Sequence, residues 1–308
     1  MSKVRKGVIV AAGLGTRFLP ITKTVPKELL PVLNKPVLQY IVEEMAGSGI
    51  ADIMIVIAPG KEIVKEYFAE DKKLEMTLKK TGKLEQIKSL REISKKVTFH
   101  YTYQKEPLGN GHALLQAKKF CGREPFAFSD GDSIIDARTP VVGQLMQVFE
   151  KQKASVIGVQ KIKDKQEMTK YGNVYGEKIV NSNWKLAKLP ITNYQLPHGL
   201  YKVTEIREKP SVKEVSPFGL IIGGMRYIFT PDIWKYMVAQ KQGRGGEIWV
   251  ADAVNMFAQN EKMFAYEYEG KYFDTGNEVS LLKTSVYFAM RDGAIEIKKI
   301  LDNQKYVG

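Results

Sequence analysis

Short apolar runs alternate with amphipathic stretches along the first 162 residues. GVIVAA (7–12), DIMIVIA (52–58), VTFHYTYQ (97–104), PFAFSD (125–130) and ASVIGVQKI (154–162) have the length and the β-branched or aromatic content of buried strands. Between them, VLQYIVEEMAGSG (37–49), KEIVKEYFA (61–69), GHALLQAKKF (111–120) and TPVVGQLMQVFEKQK (139–153) carry apolar residues at helical spacing. Gly47 and Gly49 supply the first helix's stop signal. This order predicts an α/β, Rossmann-like fold with a mainly parallel central sheet and helices on both faces. Ligands then bind beyond the carboxyl ends of the strands.

The second half has a different texture. GNVYGEKI, LYKVTEIREKP and LIIGGMRYIFTP predict β-ribbon insertions, and helices return at PDIWKYMVAQ and IWVADAVNMFAQ. MFAYEYEGKYFDTG predicts one further strand and turn, and everything after Asn277 reads as helix. No internal repeat, low-complexity tract or long linker interrupts the chain.

Composition narrows the class. A chain of 308 residues with 44% hydrophobic and 26% charged residues suits an ordinary globular protein. No apolar run approaches the roughly 20 residues that span a bilayer. The basic start followed by an apolar run has some signal-peptide character, but the run is short and flows into a glycine turn and Arg17, so it reads as the first strand. One cysteine, Cys121, excludes an internal disulfide framework and fits a cytoplasmic location. A net charge of +13 raises the question of nucleic acid. Between Lys61 and Lys105, however, Glu62, Glu66, Glu70, Asp71, Glu75, Glu85 and Glu92 are interleaved with the lysines, which describes a solvated helix surface and makes nucleic-acid binding the weaker reading.

The chemistry concentrates in VIVAAGLGTRFLPITKTVPKELLP (8–31). Gly13 and Gly15 begin like a dinucleotide fingerprint, but Phe18 stands at the third glycine position and Pro20 blocks a propagating helix. No acidic residue closes the second strand, and Walker A spacing is absent. The remaining reading is a loop whose backbone N–H groups form an anion nest, with Thr16 and Arg17 adding side-chain donors. Lys27, bracketed by Pro26 and Pro31, is placed to neutralise a polyphosphate. His112 follows a glycine turn and reads as structural. Neither a catalytic triad nor a Cys/His metal cluster is apparent, so covalent nucleophilic catalysis is unsupported.

GLGTR followed by PKELLP resembles the bacterial UTP–glucose-1-phosphate uridylyltransferases, also called UDP-glucose pyrophosphorylases, of the sugar-phosphate nucleotidyltransferase group. The likeness runs to about residue 290. It implies a nucleotidyltransferase, glycosyltransferase-A-like fold. The catalytic domain would cover 1–276, with a nucleotide half of about 1–135 and a sugar-phosphate half of about 136–276. A helical tail would occupy 277–308 and make subunit contacts in a homo-oligomer, a dimer or a tetramer. The implied reaction joins UTP to glucose 1-phosphate with Mg²⁺, giving UDP-glucose and pyrophosphate.

Residue by residue, the resemblance places the nucleotide at Ala12, Gly13, Gly15, Thr16, Gln104 and Gly109, where Gln104 would meet the pyrimidine edge and Gly109 would let backbone approach the base. Gly172, Glu208 and Lys209 fall in the sugar-phosphate segments KYGNVYG and EIREKP. Arg17, Lys27 and Lys209 are the implied catalytic cations. FAFSDGDSI puts Asp132 on the family's metal-binding aspartate, with Asp130 as runner-up because carboxylates two apart on an extended segment point the same way. Asp274 in GKYFDTGN is the second implied ligand, with Thr275 standing where the family has cysteine. Glu247 and Asp252 receive no catalytic role. The alternatives are another base, such as dTTP, another sugar 1-phosphate, or a homologue that binds nucleotide sugar without catalysis.

Overall fold

The computed structural model describes residues 3–179, 199–240 and 246–293. The predicted early strands form within one or two residues of their expected limits. Strand β1 (Lys6–Ala11) leads through turns to a small hairpin, β2 (Pro31–Val32) and β3 (Lys35–Pro36). Then come β4 (Asp52–Ile57), β5 (Thr98–Tyr103), β6 (Phe126–Asp130), β7 (Ser133–Asp136) and β8 (Ser155–Lys161). The later strands are β9 (Gly172–Lys178), β10 (Leu200–Glu208), β11 (Leu220–Ile221), β12 (Tyr227–Phe229), β13 (Met263–Glu267) and β14 (Lys271–Asp274).

Among the described residues, ten of these strands make one sheet in the order β11-β9-β10-β13-β8-β12-β6-β1-β4-β5. Strand β1 runs parallel to β4 and β6, and β4 parallel to β5. The later residues expected as ribbons extend this same sheet. Strand β13 lies parallel to β8, and β12 is antiparallel to both β6 and β8, joining the two parallel blocks. Its three residues are all buried, as suits an apolar strand at the centre of a sheet. MFAYEYEGKYFDTG supplies two strands where one was expected: β14 leaves the main sheet and pairs antiparallel with β7.

Side-chain alternation sends Ile9 and Ile55 into one core, capped by the helices Val37–Gly47 and Val141–Gln152. Val8 and Val56 face the other, beneath Ile233–Ala239 and Val250–Asn260. The helix expected over 111–120 is split into Asn110–Leu115 and Lys118–Cys121. Gln116 causes the break: its side chain donates to the His112 carbonyl at 3.1 Å, the acceptor that its own N–H would use in a continuous helix. After Asn277 the helix Glu278–Arg291 forms as expected, and residues 294–308 lie outside the described residues. Among the described residues no helix is long and apolar enough to cross a membrane.

Candidate active site

Parallel order brings the carboxyl ends of β1, β4, β5 and β6 to one edge of the sheet, and the predicted residues follow those ends. From β1 the chain enters the glycine loop and three short 3₁₀ turns, Thr16–Phe18, Ile21–Lys23 and Lys27–Leu29. Gly15 has φ of 68°, left-handed, and a Cβ there would stand 3.2 Å from both the Lys27 Cβ and the Thr22 Cγ2. A Cβ on Gly13 would lie 3.6 Å from the Lys27 Cε. The two glycines therefore let the lysine stem lie across the loop. Pro26 starts the turn that carries Lys27, with Leu29 N–H donating to the Pro26 carbonyl at 2.9 Å.

Lys27 Nζ meets Asp132 Oδ2 at 2.5 Å. Burial works against its charge, but Asp132 and Glu28 outweigh that and hold the ammonium above its ordinary pKa. The carboxylate is placed by two devices. Thr275 donates its hydroxyl at 2.7 Å and its N–H at 3.2 Å to the Asp132 carbonyl, and β7 pairs with β14 so that Ser133 stands opposite Asp274. Arg17 donates to the Gly276 carbonyl at 3.2 Å. A Cβ on Gly276 would lie 2.9 Å from Asp274 Oδ1, 3.2 Å from an Arg17 nitrogen and 3.6 Å from Asp132 Oδ2, so all three groups line the space beside this glycine. The structure thus brings together Arg17, Lys27, Asp132 and Asp274 from segments far apart in the chain.

Asp130 has different hydrogen-bond partners. Strand β6 ends at Asp130 and the chain bends at Gly131, so the two carboxylates take different neighbours while Asp130 stays within electrostatic reach of Asp132 and Lys27. A Cβ on Gly131 would lie 2.9 Å from the Val10 carbonyl and 3.1 Å from Glu28 Cγ, which is why a glycine stands at this bend. Asp130 accepts from the Ser133 hydroxyl and lies 3.6 Å from the Arg226 guanidinium. Burial, then the charge of Asp132, pushes its carboxyl up to about 7 against that arginine.

Arg226 is fully buried, the lone charge in LIIGGMRYIFTP, and was not anticipated. It donates to Glu44 Oε2 at 2.7 and 2.9 Å, to Ser129 Oγ at 2.7 Å and to the Gly224 carbonyl at 2.5 Å. Removing one member of such a buried pair strands the other's charge. Arg226→Met is expected to cost about 3–5 kcal/mol, lowering the thermal unfolding midpoint by roughly 6–20 °C. Arg226→Met/Glu44→Gln, scanned alongside, should recover part of that loss.

On the other flank, Gln104 is buried after β5, its amide nitrogen hydrogen-bonded to the Gly109 carbonyl at 2.9 Å and to His112 Nδ1 at 3.1 Å. His112 therefore holds Gln104, in keeping with its structural reading. Gly109 has φ of 93°, and a Cβ there would meet the Ile248 carbonyl at 2.6 Å. The docked 247–248 backbone by itself requires a glycine here. Residues 243–245 of GRGGEIWVADAV lie outside the described residues.

Gly172 stands opposite Glu208 across β9 and β10, and a Cβ on Gly172 would lie 3.0 Å from Glu208 Oε2. Lys209 follows in a left-handed turn with φ of 46°, its ammonium exposed and 3.8 Å from Glu208 Oε1. This turn reaches the carboxylate cluster through Tyr171, whose ring meets Tyr272 edge-on at 6.1 Å, two residues before Asp274.

Sequence reasoning missed Lys61 and Glu28. Lys61 follows the carboxyl end of β4 and donates to the Ala11 carbonyl at 2.9 Å, the Gly13 carbonyl at 2.6 Å and Glu28 Oε2 at 2.8 Å. Its place just beyond a strand, after Pro59–Gly60, was the available signal.

A glycine loop, two cations and two carboxylates at the carboxyl edge of a parallel sheet define a protein that handles phosphates. The chain belongs to the nucleotidyl transferase family, whose model matches residues 6–290. It is similar to the UTP–glucose-1-phosphate uridylyltransferase of Bacillus subtilis, 42% identical over 292 residues, which are 95% of this chain and 93% of that one. Among solved structures it is similar to an apo UDP-glucose pyrophosphorylase, at 33% identity and a TM-score of 0.84, covering 94% of this chain and 99% of that chain. A UDP-glucose pyrophosphorylase complexed with UDP-glucose gives 32% identity and a TM-score of 0.80 over the same shares, 94% and 99%.

Proposed function

We propose that this chain transfers a uridylyl group from UTP to glucose 1-phosphate, giving UDP-glucose and pyrophosphate. The observation that carries this reading is the convergence of Arg17, Lys27, Asp132 and Asp274 beside the glycine loop. The names of the relatives supply the base and the sugar. A phosphate oxygen of the sugar attacks the α-phosphorus of UTP, and the bond from that phosphorus to the bridging oxygen breaks, releasing pyrophosphate. The attacking oxygen is already anionic, so no general base is required, and the protein supplies position and charge neutralisation.

In this mechanism the N–H groups of the glycine loop, with Thr16 and Arg17, hold the triphosphate while Lys27 neutralises it. Gln104 orients the pyrimidine. Glu208 accepts hydrogen bonds from the hexose hydroxyls beside Gly172, and Lys209 binds the sugar phosphate. The donor set suits Mg²⁺, a hard cation held through one or two carboxylates: Asp132 and Asp274 both face the space beside Gly276. Asp132 and Asp274 would hold the ion, which when bound neutralises developing charge on the phosphate oxygens.

Residues 1–276 act as the catalytic domain in this reading, with nucleotide and sugar-phosphate halves meeting near residue 135. Val279 and Leu282, exposed on the helix Glu278–Arg291, support subunit contacts in a homo-oligomer. The single cysteine, buried, is compatible with the cytoplasm. Pyrophosphate release across a panel of nucleoside triphosphates and sugar 1-phosphates, with Mg²⁺, tests the function. UTP with glucose 1-phosphate should exceed every other pair in kcat/KM by at least about tenfold. Preference for dTTP or another sugar would redirect the assignment, and no turnover with any pair would end it.

A further inference from the structure

We propose that Lys61 sets the conformation of the glycine loop and thereby the strength with which the backbone of residues 13–17 holds the triphosphate. An ammonium has three donors, and three bonds occupy this one: the Ala11 carbonyl, the Gly13 carbonyl and Glu28 Oε2. With its donors committed, Lys61 acts through the loop and is a positioning residue.

The geometry follows from the planar trans peptide, in which C=O and the next N–H point in opposite directions. Drawing the Gly13 carbonyl toward Lys61 turns the Leu14 N–H away from it, and the Ala11 carbonyl does the same for Ala12. Gly15 then adopts the left-handed conformation at φ of 68°. Among the described residues, no hydrogen bond uses the N–H of Gly13, Leu14, Gly15, Thr16 or Arg17. A run of free N–H groups around a left-handed residue is an anion-binding concavity.

The third bond links this concavity to the site's cation. Glu28 is 1% exposed, adjoins Lys27 in sequence, and keeps its other carboxylate oxygen, Oε1, buried without a partner. Lys61 thus fixes the nest and the turn bearing Lys27 to one point on the strand-end loop after β4. A buried carboxylate with half its acceptors unmet is costly for stability alone, and it is intelligible as the anchor of a loop that must be held for binding.

The proposal rests on the reading of this loop as a triphosphate cradle, and calorimetric titration separates the two. The protein is titrated with UTP, and with uridine, which lacks phosphates, as a control for the base site. Lys61→Met and the neutral pair Lys61→Met/Glu28→Gln are titrated alongside, since the first leaves Glu28 buried and unpaired. UTP should bind about tenfold or more weakly to the neutral pair, with uridine affinity within about twofold of the unmodified protein. In steady state the change should appear in KM for UTP, with KM for glucose 1-phosphate unmoved. Hydrogen–deuterium exchange on the unmodified protein gives a test without substitution: UTP should slow exchange of the amides of residues 13–17.

Unchanged UTP affinity in the neutral pair overturns the role of Lys61 while leaving the cradle intact. Parallel loss of uridine and UTP binding in both variants also overturns it. If the unmodified protein itself binds no UTP, or UTP does not slow exchange of amides 13–17, the cradle reading fails first.

Discussion

Lys27→Ala is expected to lower turnover by about 10³-fold, a loss typical of removing a preorganised group that stabilises transition-state charge. The residue is poised for this: its stem lies across Gly13 and Gly15, its ammonium touches Asp132, and neighbouring carboxylates keep it protonated above its ordinary pKa. Because that pKa is raised, the charge is present throughout the neutral range, and deprotonating Lys27 contributes no limb to the pH–rate profile there. Lys27→Arg is expected to be a poor substitute, since a planar fork does not fit the space beside Gly13 and Asp132 as the compact ammonium does. The measurement is steady-state kcat with UTP and glucose 1-phosphate, with the unfolding midpoint as a check on the fold. A Lys27→Ala protein within tenfold of the unmodified rate would remove this lysine from the mechanism.

Asp132→Asn is expected to lose about 10³-fold in metal-dependent turnover, and Asp130→Asn much less. The two carboxylates are two residues apart, yet the bend at Gly131 gives them different neighbours. Asp132 lies beside Lys27 and the space bounded by Asp274 and Gly276, whereas Asp130 is turned to Ser133 and Arg226. The Asp130 variant should mainly disturb stability, by unbalancing a buried arginine. Binding of Mn²⁺ followed by electron paramagnetic resonance, beside kcat against Mg²⁺ concentration, distinguishes the two. The reverse ranking would move the metal site to Asp130.

In the resting protein Lys27 and Asp132 neutralise each other, and each needs that partner less once substrate and metal arrive. Phosphate can take over the lysine while a divalent cation takes over the aspartate. Losing either residue therefore removes a ligand from one charge and a restraint from another. For that reason the two variants should not be additive: the double variant is expected to lose less than the product of the single losses.

The early strands were legible because each is a continuous apolar run between turn residues, and a parallel sheet buries such runs on both faces. The motif around Gly13 and Lys27 was legible because glycine and proline report backbone requirements locally. Strand β12 was harder: YIF fits a ribbon as well as a central strand, and only its pairing with β6 and β8 decides between them. Arg226 and Lys61 were missed for a related reason. Their partners Glu44 and the Ala11 and Gly13 carbonyls lie 182, 50 and 48 residues away, and no spacing in the sequence records such contacts. The split at Gln116 was invisible to periodicity, because a side chain competing for one carbonyl leaves the apolar spacing intact. The reason for Gly131 also lies in the fold, where the Val10 carbonyl and Glu28 pack against it.

The pairing of β7 with β14 has a consequence for how the protein is made. Thr275 and the Asp132 carbonyl it clasps are 143 residues apart, and Arg17 reaches the Gly276 carbonyl across 259. On the ribosome the glycine loop emerges early and the β14 segment late, so a nascent chain can build its first parallel strands long before the carboxylate pair exists. Chains stalled or cleaved ahead of β14 would then be folded in part and inert. Activity in this protein would then report that synthesis has passed β14.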